Sequence, residues 1–551
     1  MIYSKYQYAP EPLGHPRPVR VAIIGAGVSG IAAVKMFKEK FQGTSAELVL
    51  YEKNSDVGGT WLENRYPGCA CDVPAHAYTY SWEGNPNWSK AYVGAVELFD
   101  YFKSRAVAYG VEDFVHLNHL VEQAIWKEDE GLWELQVLDQ ARNIRFITSA
   151  ECLINAAGFL NNWKWPDVPN LTDFQGHLVH SAHWDDTYIF QNKRVAIIGS
   201  GSSAIQIVPQ LQPVVDHMVS FNRSATWITP EFAAEFAPEG RDVLISSEQQ
   251  REWRDDPKAF LEFRKKVEST MNQFFDLQYK DSELQKDSFE RYRLTMKHRL
   301  AKKPGLAEHL IPEFAVGCRR ITPGHHYLES LASENVTVEC GEISSVRANG
   351  IEMKDGPLHE VDALICATGF DTSFKPAFPV IGLNGCDLRK VWEVEPRSYL
   401  SIAASGFPNY FVASGPNFPL ANGGLIPCLE KNIEYAFKAV ERMQRTGIKS
   451  MHPKVKAVDD FQEHKDSLME DLVWSAPCRS WYKNGNVDGK VWGPWPGSSL
   501  HYLELMSEPR WEDWEIEYTS KNRFAFLGNG KSSVEANKGD LAHYLREPGC
   551  D

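Results

Sequence analysis

The chain is poor in cysteine. Ten in 551 residues, widely scattered, are too few for a disulfide scaffold, and free thiols in a reducing cytoplasm are the expectation. The closest pair, Cys69 and Cys71, has one residue between its members instead of the two of a redox CxxC. No second pair stands at zinc spacing, which argues against a cysteine metal site. Positive charge is also short: 58 Lys and Arg against 73 Asp and Glu leave a net −15, unsuited to nucleic acid or an anionic membrane as main partner. No apolar run reaches the roughly 18 residues needed to span a bilayer. The stretch VAIIGAGVSGIAAV at 21–34 has the length of a signal-peptide core. It lies behind mostly polar, proline-bearing residues and carries three spaced glycines, so it reads as strand, turn and helix. The final EPGCD is neither a peroxisomal nor an ER-retention address.

Against these shortages stands an internal repeat. Hydrophobic residues at 43% and charged ones at 24% describe a globular chain, and its length calls for two or three domains. VAIIGAGVSG at 21–30 returns as VAIIGSGSSA at 195–204, and ECLINAAGF at 151–159 returns as DALICATGF at 362–370. Each half therefore opens with a strand, glycine turn and helix and closes with an apolar strand ending at glycine. The expected fold class is α/β, with two Rossmann-like dinucleotide-binding domains. In the first turn Gly25 allows the reversal, Gly27 clears space for a pyrophosphate, and Gly30 lets helix pack on strand. The helix N-terminus then offers free N–H groups to the phosphates. In the second turn Gly199 and Gly201 keep the first two roles and Ala204 takes the third place.

The strands downstream of the two turns separate the ligands. After the first turn, ELVLYEK ends at Glu52, placed to accept from an unphosphorylated ribose, as in FAD or NAD. After the second, HMVSFNRS arrives with Asn222 and Arg223 and no acid, which suits the 2′-phosphate of NADP. GGTWLENRYPGCACD at 58–72, with Trp61, Tyr66 and Pro67, suggests a loop shaped around a large planar ring, making FAD the better first ligand. Two dinucleotides in one chain imply hydride transfer from NADPH to flavin.

Between about 231 and 315 the pattern becomes charged, nearly free of glycine and spaced like amphipathic helices, an insertion expected to cover the active site. The predicted division is residues 1–150 for the first part of an FAD domain and 151–230 for the first part of an NADP domain. Residues 231–315 form the insertion, 316–375 the second part of the NADP domain, and 376–551 the rest of the FAD domain with substrate-pocket loops. His177, His180 and His183 stand at every third position and could share a helix face to hold a metal. Gly176 precedes them and a strand comes next, so a segment joining the two domains is the reading, with no metal.

Phe174, Gly176, His180, Trp184 and Asp185, just before the second glycine turn, resemble the fingerprint of type I Baeyer–Villiger monooxygenases. The stretch from Gly58 and Gly59 through Trp61, Tyr66, Pro67 and Gly68 to Asp72 is similar to that family's second motif. DALICATGF resembles a segment shared with other flavin monooxygenases. The matches span about residues 20–482. The resemblance implies a flavoenzyme that uses NADPH and O₂ to turn ketones into esters or lactones through a flavin C4a-peroxide. It places the active-site arginine at Arg320 in GCRRITPGHHYLESL, beside Arg319, with Asp72 supporting it. It puts a nucleotide-contacting tryptophan at Trp481 and makes His180 a hinge group. Gly59, Thr60, Trp61, Asp72 and Tyr78 complete the expected flavin set. Ser202, Ser203, Gln206, Ser224 and both arginines complete the NADP set. Two alternatives stand beside this: oxidation of nitrogen or sulfur heteroatoms, and a nucleotide-binding redox partner without turnover.

Overall fold

In the computed structural model, which describes residues 6–238 and 240–545, the repeat becomes two five-stranded parallel sheets. The first runs Tyr410–Val412, Cys152–Asn155, Val19–Ile24, Ala46–Tyr51, Val115–His116. The second runs Val336–Glu339, His217–Phe221, Arg194–Ile198, Ala363–Cys366, His177–His180. In each, the opening strand lies at the centre and feeds a glycine turn and a helix, Val28–Phe41 in the first and Ser202–Leu211 in the second. Parallel sheets are covered on both faces, and the opening strands are accordingly apolar from Val21 and Val195 onward. Alternation then sorts their side chains. Val21 and Ile23 enter a core shared with the helix Val28–Phe41, whereas Ala22 and Ile24 enter the opposite one.

That opposite core is closed by an antiparallel meander of His119–Lys127, Leu132–Asp139 and Ile144–Ala150. Trp133, Leu135 and Val137 are wholly buried on its inner face. A smaller meander, Ile343–Arg347, Gly350–Met353 and Leu358–Glu360, covers the second sheet in the same way through Val346 and Ile351. The duplication thus extends to the covering layers.

The stretch 231–315 is mainly helical, with Ser247–Asp255, Pro257–Gln273 and Glu283–Arg299 as its longest elements. Ser246, Asp256 and Ser282 cap these helices by accepting from backbone N–H groups. The first two clasp the loop after Asp72. Trp253, Phe260 and Phe263 surround the buried ring of His76 edge-on, at centroid distances of 5.0–6.0 Å. Arg264 donates to the Thr79 hydroxyl at 3.0 Å and to the Tyr80 carbonyl at 2.9 Å. Burial holds His76 neutral, its pKa down at about 3.

Several expectations are corrected. Cys152–Asn155 pairs with Val21–Ile24, so the first sheet extends past residue 150. His177–His180 is neither a helix face nor a joining segment but the edge strand of the second sheet, with side chains alternating across it. Free thiols hold for seven of the described cysteines, but Cys318 and Cys478 form a disulfide. At a sequence separation of 160 and with no motif around either, spacing could not reveal that pair. EPGCD lies outside the described residues. Among the described residues no helix is long and apolar enough to cross a membrane.

Candidate active site

Each glycine turn is locked by the matching closing strand. At Gly25, φ is +103° and an added Cβ would come within 2.6 Å of the Ala156 carbonyl oxygen. At Gly199, φ is +128° and the same addition would meet the Ala367 carbonyl oxygen at 2.3 Å. Ala156 and Ala367 are the equivalent alanines of AAGF and ATGF. A Cβ at Gly30 would strike the Gly25 oxygen at 2.2 Å, whereas Ala204, in the equivalent place, is accommodated fully buried. Both helices start on glycine, Gly27 and Gly201, with no side-chain cap and no acid in the first turn. Their first N–H groups are left for an anion.

Glu52 is buried under the first turn. Its two carboxylate oxygens accept from the N–H of Ala26 at 2.7 Å and of Asn54 at 2.9 Å, each oxygen keeping a lone pair. Burial raises its pKa. Gly59 lies directly against Gly27: its φ is +54°, and a Cβ there would sit 2.9 Å from the Gly27 Cα. The short helix Thr60–Glu63 comes next, with buried Trp61 edge-on to Tyr78 at 5.5 Å.

Around the second turn a Cβ on Gly201 would meet nothing within 4 Å, so the space in front of Ser202 and Ser203 is open. Asn222 turns inward, its Oδ1 accepting from the Tyr327 hydroxyl at 2.9 Å, while Arg223 is exposed. Arg319 reaches across to the hydroxyls of Ser224 at 3.4 Å and Thr226 at 2.9 Å. Its guanidinium lies 5.1 Å from the Phe314 ring centre, and burial lowers its pKa to about 10. Gln206 looks the other way: its Oε1 accepts from the Tyr66 hydroxyl at 2.9 Å, and its Nε2 donates to the Ala70 carbonyl at 2.9 Å. Both ends of that amide tie the two halves together, which removes Gln206 from the open nucleotide face.

The neighbouring arginines diverge. Where Arg319 faces the second turn, Arg320 donates to Asp72 at 2.5 Å and to the Leu420 carbonyl at 3.4 Å. The Asp72 carboxylate, foremost, raises the guanidinium pKa above its already high ordinary value. Residues 248 apart in sequence thereby meet between the two halves. Arg320 lines a cleft of about 780 Å³, open mouth included. Phe232, Phe274, Trp474 and Tyr482 supply much of its apolar wall, and Glu231 and Gln278 its polar points. Gln278 is 2% exposed, and its Oε1 has no hydrogen-bond partner among the described residues.

Other predicted positions sit outside this cleft. His180 is buried against Trp163, rings stacked at 4.7 Å. Its Nδ1 accepts from the Ala182 N–H, and burial lowers its pKa to about 4. A Cβ on Gly176 would press on the Phe174 ring at 2.5 Å. Trp184 stacks on Phe190, and Asp185 caps the turn at Thr187. Of these five, His180 ends the edge strand of the second sheet and the other four flank it. Trp481 stacks on Phe159 at 5.9 Å, beyond the first closing strand, and it is the adjacent Tyr482 that lines the cleft. Sequence reasoning missed Tyr482, Gln278 and Glu231. Only Tyr482 carried a signal, its place beside Trp481.

A family model described as flavin-binding monooxygenase-like matches residues 18–289. The FAD-binding monooxygenase tazF of Aspergillus terreus is 38% identical, covering 96% of this chain and 95% of its own length. A Baeyer–Villiger monooxygenase of Pseudomonas aeruginosa is 32% identical over 89% of this chain and 90% of its own length. Among solved structures, cyclohexanone monooxygenase from Rhodococcus sp. Phi1, bound to NADP⁺, superposes with a TM-score of 0.78 at 25% identity. It covers 92% of this chain and 100% of its own.

Proposed function

The chain belongs to the flavin-binding monooxygenase-like family and, within it, to the Baeyer–Villiger monooxygenases, and from that premise we propose that it uses NADPH and O₂ to convert a ketone into an ester or lactone. FAD is assigned to the first glycine turn, against Gly25, Gly27, Gly30, Glu52 and the loop from Gly59 to Asp72 and Tyr78. NADP is assigned to the second, against Gly199, Gly201, Ser202, Ser203, Arg223, Ser224 and Arg319. The residues fit these groups: two uncapped, acid-free helix starts leave their first N–H groups for an anion, the turn at Gly201 is open, and Glu52 keeps lone pairs for a ribose. When bound, the two groups would supply hydride transfer and the activation of oxygen.

The observation that carries the reading is the Arg320–Asp72 pair, whose guanidinium stands on the wall of a largely apolar cleft. A guanidinium cannot lose its proton near neutral pH. Arg320 therefore presents a permanent cation where negative charge develops on oxygen as the carbonyl is attacked, a form of preorganised electrostatic stabilisation. Asp72 fixes the direction of that cation and balances it when the cleft is empty. The aromatic wall takes the carbon skeleton of the ketone and excludes water.

The test is Arg320→Ala assayed with NADPH, O₂ and a panel of ketones. Flavin content and flavin reduction are expected to persist while ester output falls by about two orders of magnitude or more. Undiminished ester output would remove Arg320 from its role. Products confined to sulfoxides or N-oxides would replace the ketone by a heteroatom substrate.

A further inference from the structure

The Cys318–Cys478 disulfide joins two segments that both bear on the cleft. Cys318 directly precedes Arg319 and Arg320. Cys478 stands just before the turn Trp481–Lys483, whose Tyr482 lies on the same cleft wall as Arg320 and Gly317. Both half-cystines are buried, at 0% and 4% exposure.

The second segment is an irregular loop bonded largely to itself. The Ser480 N–H donates to the Asn486 carbonyl at 3.2 Å, and the Gly485 N–H to the Ser480 carbonyl at 2.8 Å. Lys483 Nζ donates to the carbonyls of Ala476 at 2.7 Å and Val487 at 2.5 Å. The arginine turn is bonded elsewhere: Arg319 to Ser224 and Thr226, Arg320 to Asp72 and Leu420, and Val316 to Gln285. Among the described residues no N–H or O–H of residues 315–321 donates to 476–491, or the reverse. Cys318 Sγ also lies 3.3 Å from the Ala476 carbonyl oxygen. The disulfide is thus the one covalent tie between the two segments, and that contact and packing supply the rest.

We propose that Cys318 and Cys478 are positioning residues: their cross-link holds the Arg319–Arg320 turn in register with the Trp481–Tyr482 loop beside it on the cleft wall. The inference rests on the assignment of NADP and flavin made above. Opening the bond takes two electrons and two protons. A dithiol reductant forms its own S–S bond as the Sγ–Sγ bond breaks, leaving two protein thiols. Without the cross-link, the nicotinamide side of the site loses its register with the arginines while the glycine turns and their bonds stay as they are.

The experiment uses full-length wild-type protein, Cys318→Ser, Cys478→Ser and the double variant, all assayed well below their melting temperatures. Peptide mapping of unreduced wild type is expected to find the two cysteines linked. In the variants the KM for NADPH is expected to rise by about tenfold, as for a displaced positioning group, with more of the oxidised NADPH ending as hydrogen peroxide. Flavin content should stay at the wild-type level. Dithiol treatment of wild type should reproduce the change and reoxidation reverse it, with no effect on the double variant. Two free thiols in the unreduced map would overturn the proposal. So would variants that melt lower yet keep wild-type KM and peroxide yield, since the cross-link would then serve stability alone. If wild type makes no ester from any ketone, the functional assignment fails, while NADPH affinity and peroxide yield still report on the strap.

Discussion

Asn222 and Arg223 are consecutive and face opposite ways, one buried against Tyr327 and one in solvent beside the second glycine turn. Alternation puts Asn222 on one face and Arg223 on the face of Phe221, and Phe221 is buried under the small meander while Arg223, past the strand's end, escapes that cover. Only Arg223 is then free to meet a phosphate on the ribose. Arg223→Ala should raise the KM for NADPH about tenfold or more, the loss of a charge-assisted hydrogen bond, and leave that for NADH unchanged. Parallel kinetics with both nucleotides measure it, and equal effects on the two would sink the assignment. At this scale sequence reading was strongest where a repeat supported it. The contacts of Gly25 with Ala156 and of Gly199 with Ala367 arise from strings that recur. It was weakest where a side chain acquires its place from distant partners. Gln206 stands in the helix that opens the second half, yet its amide is spent on Tyr66 and Ala70, which no local pattern announces.

Among elements, the helices at 247–273 show how an insertion can be tied to a host it does not resemble. The aromatic residues around His76 and the bonds from Arg264 come from one helix pair and converge on one loop, Ala75–Tyr80. Arg264→Ala should destabilise the protein by about 1–3 kcal/mol, because the Thr79 hydroxyl oxygen is left buried without a donor and the Tyr80 carbonyl keeps only the Glu83 N–H. Denaturant unfolding measures that, and limited proteolysis should cut first within residues 231–315. Cleavage elsewhere, or an unchanged midpoint, would count against the anchor. The insertion was legible from its charge and periodicity. The meander at 119–150 was not, although Leu132–Asp139 alternates cleanly. Its third strand, Ile144–Ala150, is mostly exposed and carries no clean apolar alternation to mark a sheet. His177–His180, read as a joining segment from Gly176 before it and the strand after it, is instead an edge strand, because its partner Ala363–Cys366 lies far along the chain where local pattern gives no sign of it.

Across the whole molecule, stability carries a pH signature. Glu430, 6% exposed, accepts from Ser81 N–H at 2.8 Å and from its hydroxyl at 2.5 Å. Burial still lifts its pKa from 4.5 to about 7. Burial likewise lifts Glu268 to about 7, with Arg264 opposing and Glu430 reinforcing. Folded pKa values above the unfolded ones mean that the native state binds protons the unfolded chain has released. The contribution of these two carboxyls to stability should therefore decline as pH rises from 4.5 to about 7 and level off above, while neutral His76 and His180, their pKa values lowered by burial, contribute the opposite slope below about pH 6.5. Glu430→Gln should flatten part of that decline in melting temperature across about pH 5 to about pH 8. A variant profile that overlays the wild type would contradict the assignment.

The bonds of Tyr66 and Ala70 to Gln206 have a consequence for recombination. The loop Tyr66–Ala70 is encoded with the first half but seated on the opening helix of the second, where even a methyl at Gly68 would lie 2.7 Å from the Gln206 carbonyl oxygen. A chimera grafting the second half of a relative onto the first half of this protein would split a lock from its key. Crossovers must transplant residues 66–70 and 202–211 as one unit, whatever the distance between them in the gene.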